Sequence, residues 1–313
     1  MAVAESGREA RVTTSLREDR RCVGVFYHRR VEASRALAEA LVAALAQRGA
    51  EARLLSAWEA RELLEPRLTG LDWAVVLGGD GTVLRMAGIL AERGVPLIGV
   101  NFGRLGFLAE VSPEDALAVI PTLLDEPGRA EDRLMLRAGS ATVLEPILHD
   151  GDDVVRAIGG PARQGAVAIA LNDVFVGRGR VAHAVRIEVA VDGRPLIQFS
   201  ADGLLVATPT GSTAYSLSAG GPVVTPGMRA LLLTPVVPHP APVRTMVLPD
   251  CSVIDITLRS DEESVCSIDG QRHYMVPSGT TVRIEAAEHP ARFLRLGEPE
   301  TFYQTLVERI SRW

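Results

Sequence analysis

Lysine is absent from this chain: all 33 basic residues are arginine. Schiff-base and pyridoxal enzymes need an amine, so both classes are excluded. P-loop and protein-kinase sites each place a lysine on the phosphates, so they are excluded too. Cysteine is scarce. Cys22, Cys251 and Cys266 are too far apart for a C-x-x-C redox or zinc motif and read as reduced, buried thiols of a cytosolic protein. The six histidines include no pair four residues apart and no H-E-x-x-H. An excess of positive charge is also missing. With 33 basic against 39 acidic residues the net charge is −6, which speaks against general binding to nucleic acid or an anionic membrane. Residues 1–20 mix arginines with acidic residues and lead into no apolar stretch, so they read as a solvated, disordered tail and not as a signal or transit peptide. The 26 positions 203–228 carry no charge, but Pro209, Gly211, Gly220, Gly221, Pro222 and Pro226 argue against a membrane helix. A polar, glycine-rich stretch of this kind suits the lining of a ligand site.

The 313 residues, 47% of them hydrophobic, suffice for about two domains with their own cores. The first third alternates strand and helix. Runs at 22–27, 51–55, 73–77 and 95–100 read as strands. Leu37, Leu41 and Leu45 mark a helix over 32–48 that Gly49 stops, and a second helix is expected from Thr82 to about Arg93, stopped by Gly94. A further helix is expected over 113–124, with Ser112 as its cap. This order predicts a doubly wound, parallel α/β domain over 21–128. Beyond Pro127-Gly128 the helical period fades. Strand-like runs at 133–144, 166–176, 184–191, 195–207, 252–259, 264–268 and 280–285, with Asp-Gly turns at 192–193 and 269–270, predict an antiparallel, β-rich, sandwich-like domain over 129–285. Residues 299–311 read as an amphipathic helix with Phe302, Leu306, Val307 and Ile310 on one side, and the segment 286–313 is expected to return to the first domain.

Three segments carry chemistry. Leu77-Gly78-Gly79-Asp80-Gly81-Thr82 follows a buried strand and opens a helix, the place where open α/β sheets bind ligands. Its glycines let backbone amides approach phosphate oxygens, and the helix N-terminus adds positive potential. A carboxylate there repels phosphate, so Asp80 needs a reason: it can accept a proton from a substrate hydroxyl, hold Mg²⁺ between phosphates, or simply cap the helix in a tight turn. In 202–218 a strand runs into hydroxyl-bearing residues and Tyr215, a surface suited to base edges and ribose as well as to a turn with a helix cap. Asn172 and Asp173, after an apolar run, can bond ribose and a base amine or form an Asx turn.

GGDGT (78–82), NFGRLGFLAE (101–110), LNDVFVGRGRVAH (171–183) and DGLLVATPTGSTAYSLSAGGPVVTP (202–226) together resemble the NAD kinase family over about residues 22–310. The resemblance implies a Rossmann-like α/β domain joined to the β-rich one, with the site between them. It implies phosphorylation of the 2′-hydroxyl of the adenosine ribose of NAD, with ATP, another nucleoside triphosphate or polyphosphate as donor, a divalent cation such as Mg²⁺, and a homodimer or homotetramer. Carried over by position, Asp80 resembles the proton acceptor, with Gly79 and Gly81 on the phosphates and Arg85 on the dinucleotide. Asn172 and Asp173 resemble the pair that holds base and ribose, and His183 and Asp202 resemble further contacts. Thr213, Ala214, Tyr215, Ser216, Leu217 and Ser218 resemble the loop around the adenosine, Gln271 a contact from the β domain, and residues 102–108 the border of the phosphate region. Asp173 stands where the family often has Glu, and Ser200 where some bacterial members are basic. With no lysine, Arg85 and Arg104 are the nearest cations for phosphate, unless they only form salt bridges. His183 can equally be an ordinary strand histidine. A lipid or sugar kinase would share GGDG but needs an apolar pocket that 202–226 does not supply, and a non-catalytic dinucleotide sensor has no use for Asp80.

Overall fold

The computed structural model describes residues 21–103, 106–142, 144–147, 167–179, 184–239, 243–259, 264–297 and 301–310. The expectations for residues 1–20, Arg104 and His183 lie outside these. The chain begins with β1 (Cys22–Tyr27), α1 (Glu32–Gln47), β2 (Glu51–Ser56), α2 (Arg61–Leu64), β3 (Trp73–Gly78), α3 (Asp80–Ala91), β4 (Leu97–Asn101) and α4 (Ala116–Val119). β2, β1, β3 and β4 lie side by side in that order, all parallel. β1 and β3 are apolar along almost their whole length because both faces are covered. Val23, Val25, Val75 and Leu77 pack under Ala38, Leu41 and Leu45 of α1, while Phe26, Ala74 and Val76 meet Val83, Met86 and Leu90 of α3. α1 ends where Gly49 takes φ +87°, which lets the backbone N–H of Ala50 close back on the Leu45 carbonyl at 3.1 Å. The helix expected over 113–124 is shorter: Ser112 and Asp115 bond each other in a turn, α4 starts only at Ala116, and a 3₁₀ turn follows.

The strands then continue as β5 (Arg129–Arg133), β6 (Leu136–Ser140), β7 (Glu145–Pro146), β8 (Val167–Ala170), β9 (Asp173–Arg178), β10 (Val185–Val191), β11 (Arg194–Ala201) and β12 (Gly203–Ala207). After α5 (Tyr215–Ser218) come β13 (Ala230–Val236), β14 (Met246–Pro249), β15 (Ile254–Arg259), β16 (Ser264–Ile268), β17 (Arg272–Val276), β18 (Thr281–Ala286), β19 (Ala291–Arg295) and α6 (Thr301–Ile310). Two sheets, β11-β10-β15-β18-β6-β8 and β14-β13-β12-β9-β16-β17-β7, share one core. It is built from alternate residues: Val185, Ile187 and Val189 of β10 on one side, Val174, Val176, Leu204 and Val206 of β9 and β12 on the other. The antiparallel, sandwich-like expectation therefore stands. Asp192-Gly193 closes a two-residue hairpin between β10 and β11, and Asp269-Gly270 with Gln271 a three-residue one between β16 and β17, with φ +51° and +74° at Asp192 and Gly193 and +52° and +64° at Asp269 and Gly270.

Two expected strands are each two strands. The run 166–176 breaks at Leu171-Asn172, and the run 195–207 breaks at Asp202, where the chain crosses from one sheet to the other. The second crossing is tight: a Cβ on Gly203 would stand 2.2 Å from the Phe175 ring. β13, β14 and β19 have no counterpart among the expected strands. β19 runs parallel to β4 and antiparallel to β5, so β19 and β5 complete the first sheet. α6 brings Phe302 to 6.0 Å from Phe107, but Val307, expected on its covered side, is 63% exposed. Cys22 and Cys266 are buried thiols as expected, whereas Cys251 is exposed. No helix among the described residues is long and apolar enough to cross a membrane.

Candidate active site

The turn after β3 is tighter than a free loop. A Cβ on Gly78 would fall 2.5 Å from Thr82 Oγ1, and the carbonyl of Gly79 accepts the N–H groups of Thr82 and Val83 at 2.9 and 3.2 Å. The helix therefore opens at Asp80, two residues before the expected Thr82. Gly79, which has no side chain, is the N-cap, and Asp80 is the first residue of the helix. Asp80 Oδ2 accepts the backbone N–H of Phe107 at 3.2 Å, from the loop after β4. A Cβ on Gly106 would stand 2.0 Å from Asp80 Oδ1, so that loop can lie against the carboxylate only as glycine. The helix dipole favours a carboxylate in this first turn.

The second corner comes from the β domain. The carboxylate of the half-buried Asp269 accepts three backbone N–H groups, from Leu171 at 2.9 Å, Asn172 at 2.8 Å and Asp173 at 3.0 Å. Burial raises its pKa, while these three bonds and Arg272 pull the other way. Asp173 is pushed up to about 7, by burial first and by the charge of Asp269 second. Thr208 secures the same corner from the other side: its hydroxyl donates to the Leu171 carbonyl at 2.5 Å and accepts Gly211 N–H at 3.0 Å. Gly211 lies so close that a Cβ would be 2.0 Å from the Asn172 carbonyl oxygen. In the sequence Asp269 reads only as a hairpin residue. Its partners lie nearly a hundred positions away, so no local signal marks them.

Gln271 joins the two corners, its Nε2 donating to the Gly81 carbonyl at 2.7 Å. Asp80, Gly81, Gln271, Asn172 and Asp173 are thus brought together. Other expected site residues are placed differently. Arg85 is buried, with Nε on the Ala57 carbonyl at 2.7 Å, Nη2 on the Glu59 carbonyl at 2.9 Å and its guanidinium 5.4 Å from the Trp58 ring centre. Burial, then the nearby Arg272, Arg29 and Arg61, lower its pKa to about 10. Ser216 is fully buried and its hydroxyl pairs with Thr234 at 3.1 Å, so that side chain turns inward and holds the loop. Asp202 pairs with Arg178 at 2.8 Å and sits at the far end of β12 from Thr208, about 20 Å away at ~3.3 Å per residue. Tyr215 and Ser218 are exposed, Thr213, Ala214 and Leu217 half-buried, and the Tyr215 ring lies 6.0 Å from Phe175.

Among the described residues no group of three acidic, histidine or cysteine side chains could hold a metal ion. A divalent cation bound mainly by substrate phosphates needs none.

The chain matches the ATP-NAD kinase N-terminal domain over residues 23–128 and the ATP-NAD kinase C-terminal domain over residues 171–296. It is 40% identical over 250 residues to the NAD kinase of Heliobacterium modesticaldum, covering 80% of this chain and 82% of that one. It is 34% identical over 289 residues to the NAD kinase of Dehalococcoides mccartyi, covering 92% and 95%. Among solved structures, an NAD kinase from Archaeoglobus fulgidus in complex with ATP superposes with a TM-score of 0.70 at 26% identity, over 93% of this chain and 98% of that one. Yeast NADH kinase complexed with NADH shares the fold, with a TM-score of 0.77 at 22% identity, over 93% and 88%. Two consecutive domain matches and these long, similar relatives place the assignment beyond the motifs alone: the chain is a kinase and belongs to the NAD kinase family.

Proposed function

We propose that the chain transfers the γ-phosphoryl group of Mg-ATP to the 2′-hydroxyl of the adenosine ribose of NAD, with Asp80 as the proton acceptor. The hydroxyl proton passes to the Asp80 carboxylate as O2′ bonds the γ-phosphorus. The bond from that phosphorus to the bridging oxygen breaks, and ADP leaves with NADP as the other product. The observation that carries this reading is the Asp80 carboxylate, held by Phe107 N–H beside the Gly79 and Gly81 backbone at the start of α3. Phosphoryl transfer asks mainly for alignment and charge neutralisation, which such a corner supplies. Asn172 and Asp173 are the pair for base and ribose, with Asp173 accepting a ribose hydroxyl. Its shorter side chain, compared with Glu, needs the close approach that the Asp269 and Thr208 corner gives. The ATP and NADH bound in the two solved relatives suit the same substrates.

Purified protein given NAD and Mg-ATP is expected to form NADP in a coupled assay. Asp80→Asn is expected to lower kcat by about 10²–10⁴-fold with the melting temperature unchanged. Near-normal turnover by that variant would remove Asp80 from the chemistry, and NAD binding without any conversion would favour a sensor. We also infer a homodimer or homotetramer working in the reducing cytoplasm, consistent with three free thiols. Light scattering on the purified protein reads the assembly.

A further inference from the structure

The loop that orients Asp80 is held from far along the chain. Arg295, at the end of β19, donates Nη1 to the carbonyl of Leu108 at 3.3 Å. Leu108 follows Phe107, whose N–H holds the Asp80 carboxylate at 3.2 Å. Glu110, from the same loop, returns the contact. Its Oε1 accepts the N–H groups of Leu296 at 3.0 Å and Gly297 at 2.7 Å, and its Oε2 lies 3.6 Å from Arg295 Nη1.

The other arm of Arg295 leads to a second loop. Its Nε donates to Glu131 Oε2 at 3.1 Å, and the same carboxylate pairs with Arg133 on β5. Arg133 Nη1 donates to Thr210 Oγ1 at 3.3 Å, and the Thr210 carbonyl accepts the Thr213 hydroxyl at 3.4 Å. Thr210 opens the turn that leads into the expected adenosine loop. An Arg–Glu–Arg unit therefore grips a loop at each end.

Such a unit is a poor device for stability, because taking three charges out of water offsets their attraction. The side chains of Arg133 and Arg295 are only 7% and 11% exposed. Burial, then the charge of Arg295, lower the pKa of Arg133 to about 10. Arg295 Nη2 is buried and has no acceptor among the described residues. Both guanidinium groups lie against the Phe293 ring, 5.8 and 5.1 Å from its centre, a place that apolar side chains could fill. What apolar side chains could not supply is directed bonds to two loops at once.

We propose that Arg295 is a positioning residue for phosphoryl transfer: its fork holds the loop that orients Asp80 and, through Glu131 and Arg133, sets that loop in one frame with the turn at Thr210. This rests on the reading of Asp80 as the proton acceptor.

The test uses Arg295→Gln in the full chain. Its kcat is expected to fall about 10- to 100-fold, with KM for ATP and for NAD within about threefold. An unchanged kcat would overturn the proposal, and so would a rise in either KM with kcat intact, which would make Arg295 a ligand contact. Combination with Asp80→Asn reads whether Arg295 acts through the carboxylate. In that background Arg295→Gln is expected to lower kcat by no more than about twofold, and losses that multiply in full would overturn the proposal. Hydrogen exchange keeps this apart from the functional reading, because it needs no turnover. In Arg295→Gln, residues 106–110 are expected to exchange at least about tenfold faster while β1 and β3 keep their native rates. Unchanged exchange at 106–110, or equal acceleration in β1 and β3, would overturn the positioning role even if Asp80→Asn is inactive. Faster exchange at 106–110 beside a fully active Asp80→Asn would sink the functional reading alone. If Arg295→Gln does not fold, Glu131→Gln, at a side chain 21% exposed, cuts the same frame one step away. It is expected to lose about threefold to tenfold in kcat, and to lose nothing further in the Asp80→Asn background; a full further loss there would overturn the proposal.

Discussion

The two corners of the site are built in opposite ways. The Asp80 corner is nearly local: strand, glycine turn and helix follow one another, and the loop that orients the carboxylate begins about twenty residues later. The Asp269 corner draws on residues 171–173, 208–211 and 269, which meet only when both sheets of the sandwich are closed. Chemistry at the first corner should therefore be sensitive to single atoms with little cost in stability. At the second, binding and stability should fall together.

The largest expected effect that tests this contrast is Gly106→Ala. The new methyl group displaces the Asp80 carboxylate, and a misplacement of about 1 Å can cost about 10²-fold in rate. Steady-state kinetics should show that loss in kcat, with thermal unfolding close to normal. A matching loss of stability would mean that the first corner is no more local than the second.

Next comes Asp269→Ala. It leaves three half-buried N–H groups without their acceptor, worth about 3 kcal/mol together. Urea unfolding should shift by that order while KM for NAD rises. If KM rises and stability does not, the corner is a binding device only.

A smaller effect is the pH dependence carried by Asp173. Its folded pKa, about 7, lies above the ordinary carboxylate value, so the folded state binds the proton more tightly. The contribution is fully present below the unfolded pKa, near ~4, and is lost as pH rises through about 7. Stability should fall across that window, and Asp173→Asn should flatten the fall. Because the ionised form accepts the ribose hydroxyl in the proposed complex, KM for NAD should drop in the native protein as pH rises through the same value.

The smallest is Ser216→Ala. Losing the bond to Thr234 should cost about 1 kcal/mol of stability and leave both KM values unchanged. A rise in KM for NAD with stability intact would return that hydroxyl to the ligand.

These differences track what can be read along the chain. Apolar runs and helical stripes reveal β1 to β4, α1 and α3, because each element's pattern reports its own covered faces. The Asp-Gly pairs mark both hairpins, since a type I′ turn needs positive φ at both of its central positions. β13 follows the charge-free stretch that reads as a binding loop, and β19 sits in a sheet whose other strands are far away in sequence. The breaks at 171–172 and Asp202 leave no mark, because a strand that changes sheets keeps its apolar character. Ser216 and Arg85 occupy the right motif positions, but a motif does not say which way a side chain turns. Ser216 turns to Thr234 and Arg85 to the carbonyls of residues 57 and 59.

By itself, then, the sequence determined the main element types, the glycine turn with its carboxylate, and the family, all of which rest on local patterns of a few residues. Tertiary structure alone decided which acceptor holds Asn172 and Asp173, which glycine backs Asp80, and that β5 and β19 bring Arg133 and Arg295 together under one carboxylate. Those outcomes depend on contacts between distant segments, whose closure is driven by burying the shared cores and is written in no single stretch of the chain.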